Sequence, residues 1–335
     1  MNGNRRRPPK TSCPPLHRFG QNFLIDGKVL SDTVERADVR PDDVILEIGP
    51  GHGVLTRALL EMRPAKIHAV ELDERLKPEL SELAKAHETI SLHWGDAMKT
   101  DYASFSPFPN KAVANIPYNI TTPLIWKLLE FAPLGLTYHL YMVQKEAADR
   151  LTAPPDTKER YPLGVTIEAM GRAALVRRVP PSCFRPAPKV DSALIEIVIE
   201  KNHGLTRDPA WSSLLHHGFA HRRKTLLNNL KGSYSGDFDL PSVFNDIGIG
   251  AGSRAEDLTV DEWLRLYEAV GKRGFGDDLE RAVTDNPDLS SGFVYDILIS
   301  KAQGSTFAEP FMPGTEGNGL KEYASVQDMA DDLGL

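Results

Sequence analysis

The chain has 335 residues, 41% apolar and 25% charged, values of an ordinary globular protein of about two domains, which excludes disorder along the whole length. It holds no apolar run of 18 residues, and its basic start has no apolar stretch behind it, so neither a membrane span nor an ordinary secretory signal is expected. The net charge of −7 is uneven: residues 275–335 carry 12 acidic and 3 basic side chains, a net of −9, while the rest of the chain stands at +2, so a locally basic surface can still meet phosphates.

Two cysteines, Cys13 and Cys183, make no disulfide framework and have no metal-ligand spacing. A reducing cytoplasm is the simplest location, and no metal is expected. Residues 1–40 read as a Pro-rich arm, basic at Arg5, Arg6 and Arg7, followed by a helix over 26–37. An α/β rhythm then begins. Short β-branched runs predict strands at 44–48, 66–72, 90–94, 111–115 and 136–143, with helices at 54–62, 74–86 and 122–131 between them. Such alternation implies a mostly parallel sheet covered on both faces. Strands are also predicted at 173–179 and 192–199. Only a Pro-rich run separates them, with no helix for a crossover, so they should pair antiparallel as a long hairpin at the sheet edge.

Beyond residue 200 the texture changes. Residues 208–231 and 260–270 have helical apolar spacing, the second with Asp261 and Glu262 in its first turn. Residues 201–274 are expected to form a small helical domain, and the acidic segment 275–335 to be partly disordered, with a short helix near 325–332.

Chemistry concentrates at the strand ends. Gly49-Pro50-Gly51-His52-Gly53 follows the first of these strands and opens a helix. Its glycines allow a sharp turn and close approach to a ligand. The spacing is GxGxG, not the GxGxxG of nicotinamide enzymes. Glu71 closes the second strand, where a carboxylate can accept from ribose hydroxyls. Asp96, just after the third strand, can meet the exocyclic amine of adenine. No GK[ST] sequence is present for a triphosphate. A ligand with adenosine and no phosphates fits best, and S-adenosylmethionine is one.

The fourth strand ends in Asn115-Ile116-Pro117-Tyr118. The N6 amine of adenine is a poor nucleophile, because its lone pair is delocalised into the ring. The Asn115 amide oxygen and the Ile116 carbonyl can each accept one of its N–H bonds and aim the lone pair at a methyl sulfonium. Pro117 stiffens the turn, and Tyr118 offers a face for stacking.

With these motifs the sequence resembles the bacterial small-subunit ribosomal RNA adenine N6,N6-dimethyltransferases, the KsgA/RsmA family. The resemblance spans about residues 16–270. It runs through Phe19-Gly20-Gln21-Asn22-Phe23-Leu24, the 47–53 loop, Glu71-Leu72-Asp73, Gly95-Asp96-Ala97, Asn115 to Tyr118, Gln144-Lys145-Glu146 and the Phe184-Arg185-Pro186-Ala187-Pro188-Lys189-Val190-Asp191-Ser192 run. It continues through Arg222-Arg223-Lys224-Thr225-Leu226 and Arg254-Ala255-Glu256-Asp257-Leu258.

The resemblance implies a Rossmann-like class I methyltransferase with a seven-stranded sheet over 41–200. It implies S-adenosylmethionine contacts from Asn22, Leu24, Gly49, Glu71, Asp96 and Asn115, to which the glycine loop adds Gly51. Asn115 and Tyr118 would hold the target adenine, with Phe184 on its other face in a Pro-stiffened loop closing over a flipped base. Arg222, Arg223 and Lys224, on the polar side of an amphipathic helix, would contact RNA phosphates. The implied activity is dimethylation of two adjacent adenines in a hairpin loop near the 3′ end of small-subunit ribosomal RNA, by a monomer acting on that RNA or on the immature subunit. The competing readings are a large-subunit RNA methyltransferase of the macrolide-resistance type and a non-catalytic RNA-binding assembly factor that kept the fold.

Overall fold

A computed structural model describes residues 21–201, 204–231 and 239–270. The basic arm at Arg5 to Arg7 and the acidic segment with its expected short helix lie outside the described residues.

The chain enters through a two-residue strand β1 (Phe23–Leu24) and helix α1 (Gly27–Ala37). The Asp26 carboxylate caps α1 by accepting from the backbone N–H groups of Lys28 and Val29 at 3.0 and 2.9 Å. Five strands and three helices follow in the predicted order: β2 (Val44–Ile48), α2 (Val54–Glu61), β3 (Lys66–Glu71), α3 (Lys77–Ala86), β4 (Ile90–Trp94), β5 (Lys111–Asn115), α4 (Thr121–Leu129) and β6 (Tyr138–Gln144). Two helices absent from the sequence reading come next, α5 (Lys145–Leu151) and α6 (Pro162–Met170). The long strand β7 (Gly171–Val179), the short β8 (Phe184–Arg185) and β9 (Ser192–Ile199) complete the sheets.

The main sheet has seven strands in the order β4-β3-β2-β5-β6-β9-β7. The five from β4 to β6 run parallel. Strand β9 lies antiparallel to both β6 and β7, so the predicted hairpin forms the sheet edge with β7 outermost. All five residues of β2 are buried, as expected of a central parallel strand covered on both faces. The chain moves outward from β2 to β3 and β4, then returns on the other side of β2 as β5. That reversal opens a crevice at the carboxyl ends of β2 and β5, where ligands of open α/β sheets bind.

The helical segment departs from the expectation at two points, a break within 208–231 and an added helix over Leu240–Asp246. Residues 208–231 form two helices, α7 (Pro209–Phe219) and α8 (Leu226–Leu230), with a turn between them. Thr225 caps α8 from its side chain, and the Asn229 amide donates to the carbonyls of Gly218 and His221 at 2.6 and 3.2 Å, which fastens the reversal. A Cβ on Gly218 would come within 2.5 Å of the Trp263 ring, so glycine is what lets α7 meet the last helix. Helices α9 (Leu240–Asp246) and α10 (Val260–Val270) follow. A capping box starts α10: Thr259 N–H donates to Glu262 Oε2, and Glu262 N–H donates to Thr259 Oγ1.

No loose linker separates the two parts. One apolar cluster runs from Leu46 through α6 to Val270. Trp211 Nε1 donates to Thr166 Oγ1 at 3.0 Å across the junction. The buried Arg160 guanidinium bonds the Ala153 carbonyl and the Glu168 carboxylate. Among the described residues no helix is long and apolar enough to cross a membrane.

Candidate active site

Four successive strand ends build one cavity. From β2 come Ile48, Gly49 and Gly51; from β3 Val70, Glu71 and Leu72; after β4 Gly95, Asp96 and Ala97; and from the end of β5 Asn115 through Ile120. Gln21, Asn22 and Phe23 close it from the amino-terminal side. Nine residues singled out from the sequence, Asn22, Gly49, Gly51, Glu71, Asp96, Asn115, Ile116, Pro117 and Tyr118, thus line the same space. Leu24 lies in a smaller adjoining cavity with Glu47 and His52, and Gly49 and Asn115 line both.

The glycine loop is held by a buried carboxylate. Gly51 has φ +55°, and a Cβ there would stand 2.8 Å from the Phe23 ring. Its N–H donates to Glu71 Oε2 at 3.0 Å, and Asp73 N–H donates to Glu71 Oε1 at 2.8 Å. Burial pushes the Glu71 carboxyl above its ordinary pKa, and these two N–H groups oppose the shift. Asp96 Oδ1 accepts from Met98 N–H at 2.8 Å, and the group faces the cavity.

Asn115 shows its orientation. Its Nδ2 donates to the Asn22 carbonyl at 2.9 Å, which leaves the amide oxygen as the end able to accept from a ligand. The backbone of the next residue is fixed by Ile116 N–H donating to the Met142 carbonyl. Tyr118 opens a single 3₁₀ turn, Tyr118–Ile120. Its hydroxyl lies 2.5 Å from Ser192 Oγ, and burial raises the phenol pKa, keeping it neutral.

Phe184 and the basic triplet differ from expectation. Phe184 is 3% exposed and packs in a core cluster with Val29, Val179 and Leu194. Its backbone pairs with Leu24, which draws β8 against β1 and places the ring inward. It lines neither cavity, so the free loop aromatic expected from the sequence is here a core side chain. Phe184→Ala should then lower unfolding free energy by about 3–5 kcal/mol, as removal of a buried ring does. Urea denaturation measures it, and a loss below about 1 kcal/mol would return the ring to the surface. Arg222, Arg223 and Lys224 stand on the exposed α7–α8 turn and not on a helix face, because the chain reverses there. Arg222 pairs with Glu256 at 3.1 Å.

The sequence reading missed Phe23 and Glu47. Phe23 is the ring that abuts Gly51, and only the β1–β8 pairing places it there. Glu47, in β2, is fully buried, and burial drives its carboxyl up to about 8. Among the described residues its Oε2 has no hydrogen-bond partner. The sign is fixed by linkage: the folded chain keeps a proton that the unfolded chain releases near pH 4.5, so this group costs stability as pH rises from about 4.5 to 8. Glu47→Gln cannot ionise. Its Tm should fall less than the wild-type Tm between pH 5 and pH 8, and equal slopes in the two proteins would remove the assignment.

The residues present fit S-adenosylmethionine. The cavity lining holds two carboxylates and no Lys or Arg, which suits a cationic sulfonium ligand and not a phosphate. Among the described residues no group of three or more His, Cys, Asp or Glu is placed to hold a metal. The sheet order and the crevice at β2 and β5 define a Rossmann-like methyltransferase, a fold and class that use S-adenosylmethionine.

Residues 16–272 match ribosomal RNA adenine dimethylase, and the chain belongs to that family. The ribosomal RNA small subunit methyltransferase A of Clostridium acetobutylicum is 40% identical over 261 residues, 76% of this chain and 92% of its own. The protein of the same name from Chromobacterium violaceum is 39% identical over 266 residues, 78% of this chain and 97% of its own. Among solved structures, a dimethyladenosine transferase from Plasmodium falciparum aligns with TM-score 0.66 and 27% identity, covering 76% of this chain and all of the other. The 23S rRNA methyltransferase ErmE aligns with TM-score 0.58 and 28% identity, covering 74% of this chain and 99% of the other.

Proposed function

We propose that this protein dimethylates N6 of two adjacent adenines in the 3′-terminal hairpin loop of small-subunit ribosomal RNA, with S-adenosylmethionine as methyl donor. The observation that carries the reading is the Asn115 amide, turned by its bond to the Asn22 carbonyl so that its oxygen remains to accept from an amine. When bound, S-adenosylmethionine supplies a methyl group on a sulfonium.

This chain's residues do the rest. Glu71 and Asp96 meet the adenosine hydroxyls and amine, and Gly49 and Gly51 let the backbone approach. The Asn115 oxygen and the Ile116 carbonyl accept the two N–H bonds of the target amine and direct its lone pair. Tyr118 stacks on the flipped base. No side-chain base need act before transfer, because the nitrogen becomes acidic only as it gains the methyl. Arg223 and Lys224, exposed on the α7–α8 turn, and Arg222 beside Glu256 contact RNA phosphates. The partner is small-subunit RNA or the immature small subunit, met by a monomer.

Relatives of 39–40% identity that bear a small-subunit name favour this substrate over the large-subunit one. The test is mass spectrometry of RNA from both precursor subunits after incubation with the protein and labelled donor. Dimethyladenosine in the small-subunit hairpin supports the reading. Label confined to large-subunit RNA, or no transfer at all, overturns it.

A further inference from the structure

We propose that Ser192 is a positioning residue for the target base, acting through the hydroxyl of Tyr118. This rests on the methyl-transfer reading above and names a part of that site that lies outside the cavity lining.

Tyr118 sits in a 3₁₀ turn of three residues after Pro117. So short an element has little internal bonding to fix a large side chain, and the ring's attitude depends on its own contacts. The ring lines the cavity beside Asn115. Its far end is tied by the 2.5 Å contact between the Tyr118 hydroxyl and Ser192 Oγ.

Ser192 is a firm anchor. It is the first residue of β9, is 0% exposed, and sits between two strands, in register with Gln144 of β6 and Val179 of β7. The residue before it is tied as well, since Lys145 N–H donates to the Asp191 carbonyl at 2.9 Å. One end of the phenol axis is thus set by β5 and the other by β9. Between them the ring plane is held where a base must stack for its N6 to reach Asn115. Dimethylation makes this demanding, because the same nitrogen must be presented twice, the second time carrying a methyl group. Orientation of this kind governs the rate of transfer and not cofactor binding.

The test uses full-length protein and a double-mutant cycle: Tyr118→Phe, Ser192→Ala and both together. Methyl transfer to small-subunit RNA and cofactor affinity by calorimetry are measured for each. Each single variant should lose about 3- to 10-fold in kcat, the worth of one hydrogen bond, with cofactor affinity unchanged. The double variant should be no slower than the slower single one. Losses that multiply mean that the two residues act independently and overturn the proposal. So does wild-type kcat in Tyr118→Phe, which keeps the ring, alters no strand and carries the test even if Ser192→Ala fails to fold. Absence of transfer by the wild-type protein overturns the functional reading and this proposal with it. Transfer by the wild type with multiplying losses overturns the Ser192 proposal alone.

Discussion

Asn115→Ala should lower kcat by about 10²–10³-fold, the loss seen when one preorganised polar group at a reacting centre is removed. The argument rests on which end of the amide is already engaged. Its nitrogen donates to the Asn22 carbonyl at 2.9 Å, so the oxygen is the end left to accept, at the close of β5 where Ile116 also lines the cavity. On the proposed reading, that oxygen and the Ile116 carbonyl are the two acceptors that define the plane in which the amine's N–H bonds lie. With one gone, the nitrogen keeps its lone pair conjugated with the ring.

Asn115→Asp is the sharper control. A carboxylate would put an oxygen against the Asn22 carbonyl, where two acceptors repel, so the side chain must turn away. It should lose nearly as much as Ala despite keeping an acceptor. Single-turnover transfer at saturating cofactor measures both. A loss confined to cofactor affinity would make Asn115 a binding residue only.

The site was legible where strands end, because the sheet puts consecutive strand ends side by side. Glu71, Asp96 and Asn115 each close or follow a short β-branched run, and the parallel order β4-β3-β2-β5 brings them into one cavity. Helix α6 was not legible, because eight of its nine residues are buried and it has no polar face to mark its period. The break between α7 and α8 was hidden for a different reason. Leu226, Leu227 and Leu230 continue the apolar spacing of Trp211, Leu214 and Leu215, while the reversal depends on tertiary contacts of Gly218 and Asn229.

Pairing between distant segments was the largest gap. Phe23 opposite Arg185 and Leu24 opposite Phe184 decide that one aromatic abuts the glycine loop and the other enters the core. Nothing local to either segment signals it. The same holds for Tyr118 and Ser192, 74 residues apart.

Glu71→Ala should weaken S-adenosylmethionine binding by about 10- to 150-fold, the equivalent of about 1.5–3 kcal/mol for a charge-assisted hydrogen bond, and leave RNA affinity unchanged. The carboxylate has two tasks. It faces the cavity, where ribose hydroxyls can donate to it, and it accepts from Gly51 N–H and Asp73 N–H. Its removal therefore loosens the loop that the ligand rests on. Asp96→Ala should cost less, because among the described residues the Asp96 carboxylate braces the backbone at the Met98 N–H alone. Glu71→Gln separates charge from geometry. One amide oxygen can serve Gly51 or Asp73, but the NH₂ must then meet the other N–H, donor against donor. Gln should consequently behave like Ala and not like Glu. Calorimetry of the three variants gives the order. If Gln binds cofactor as tightly as wild type, Glu71 does not brace the loop, and the glycine turn holds its shape unaided.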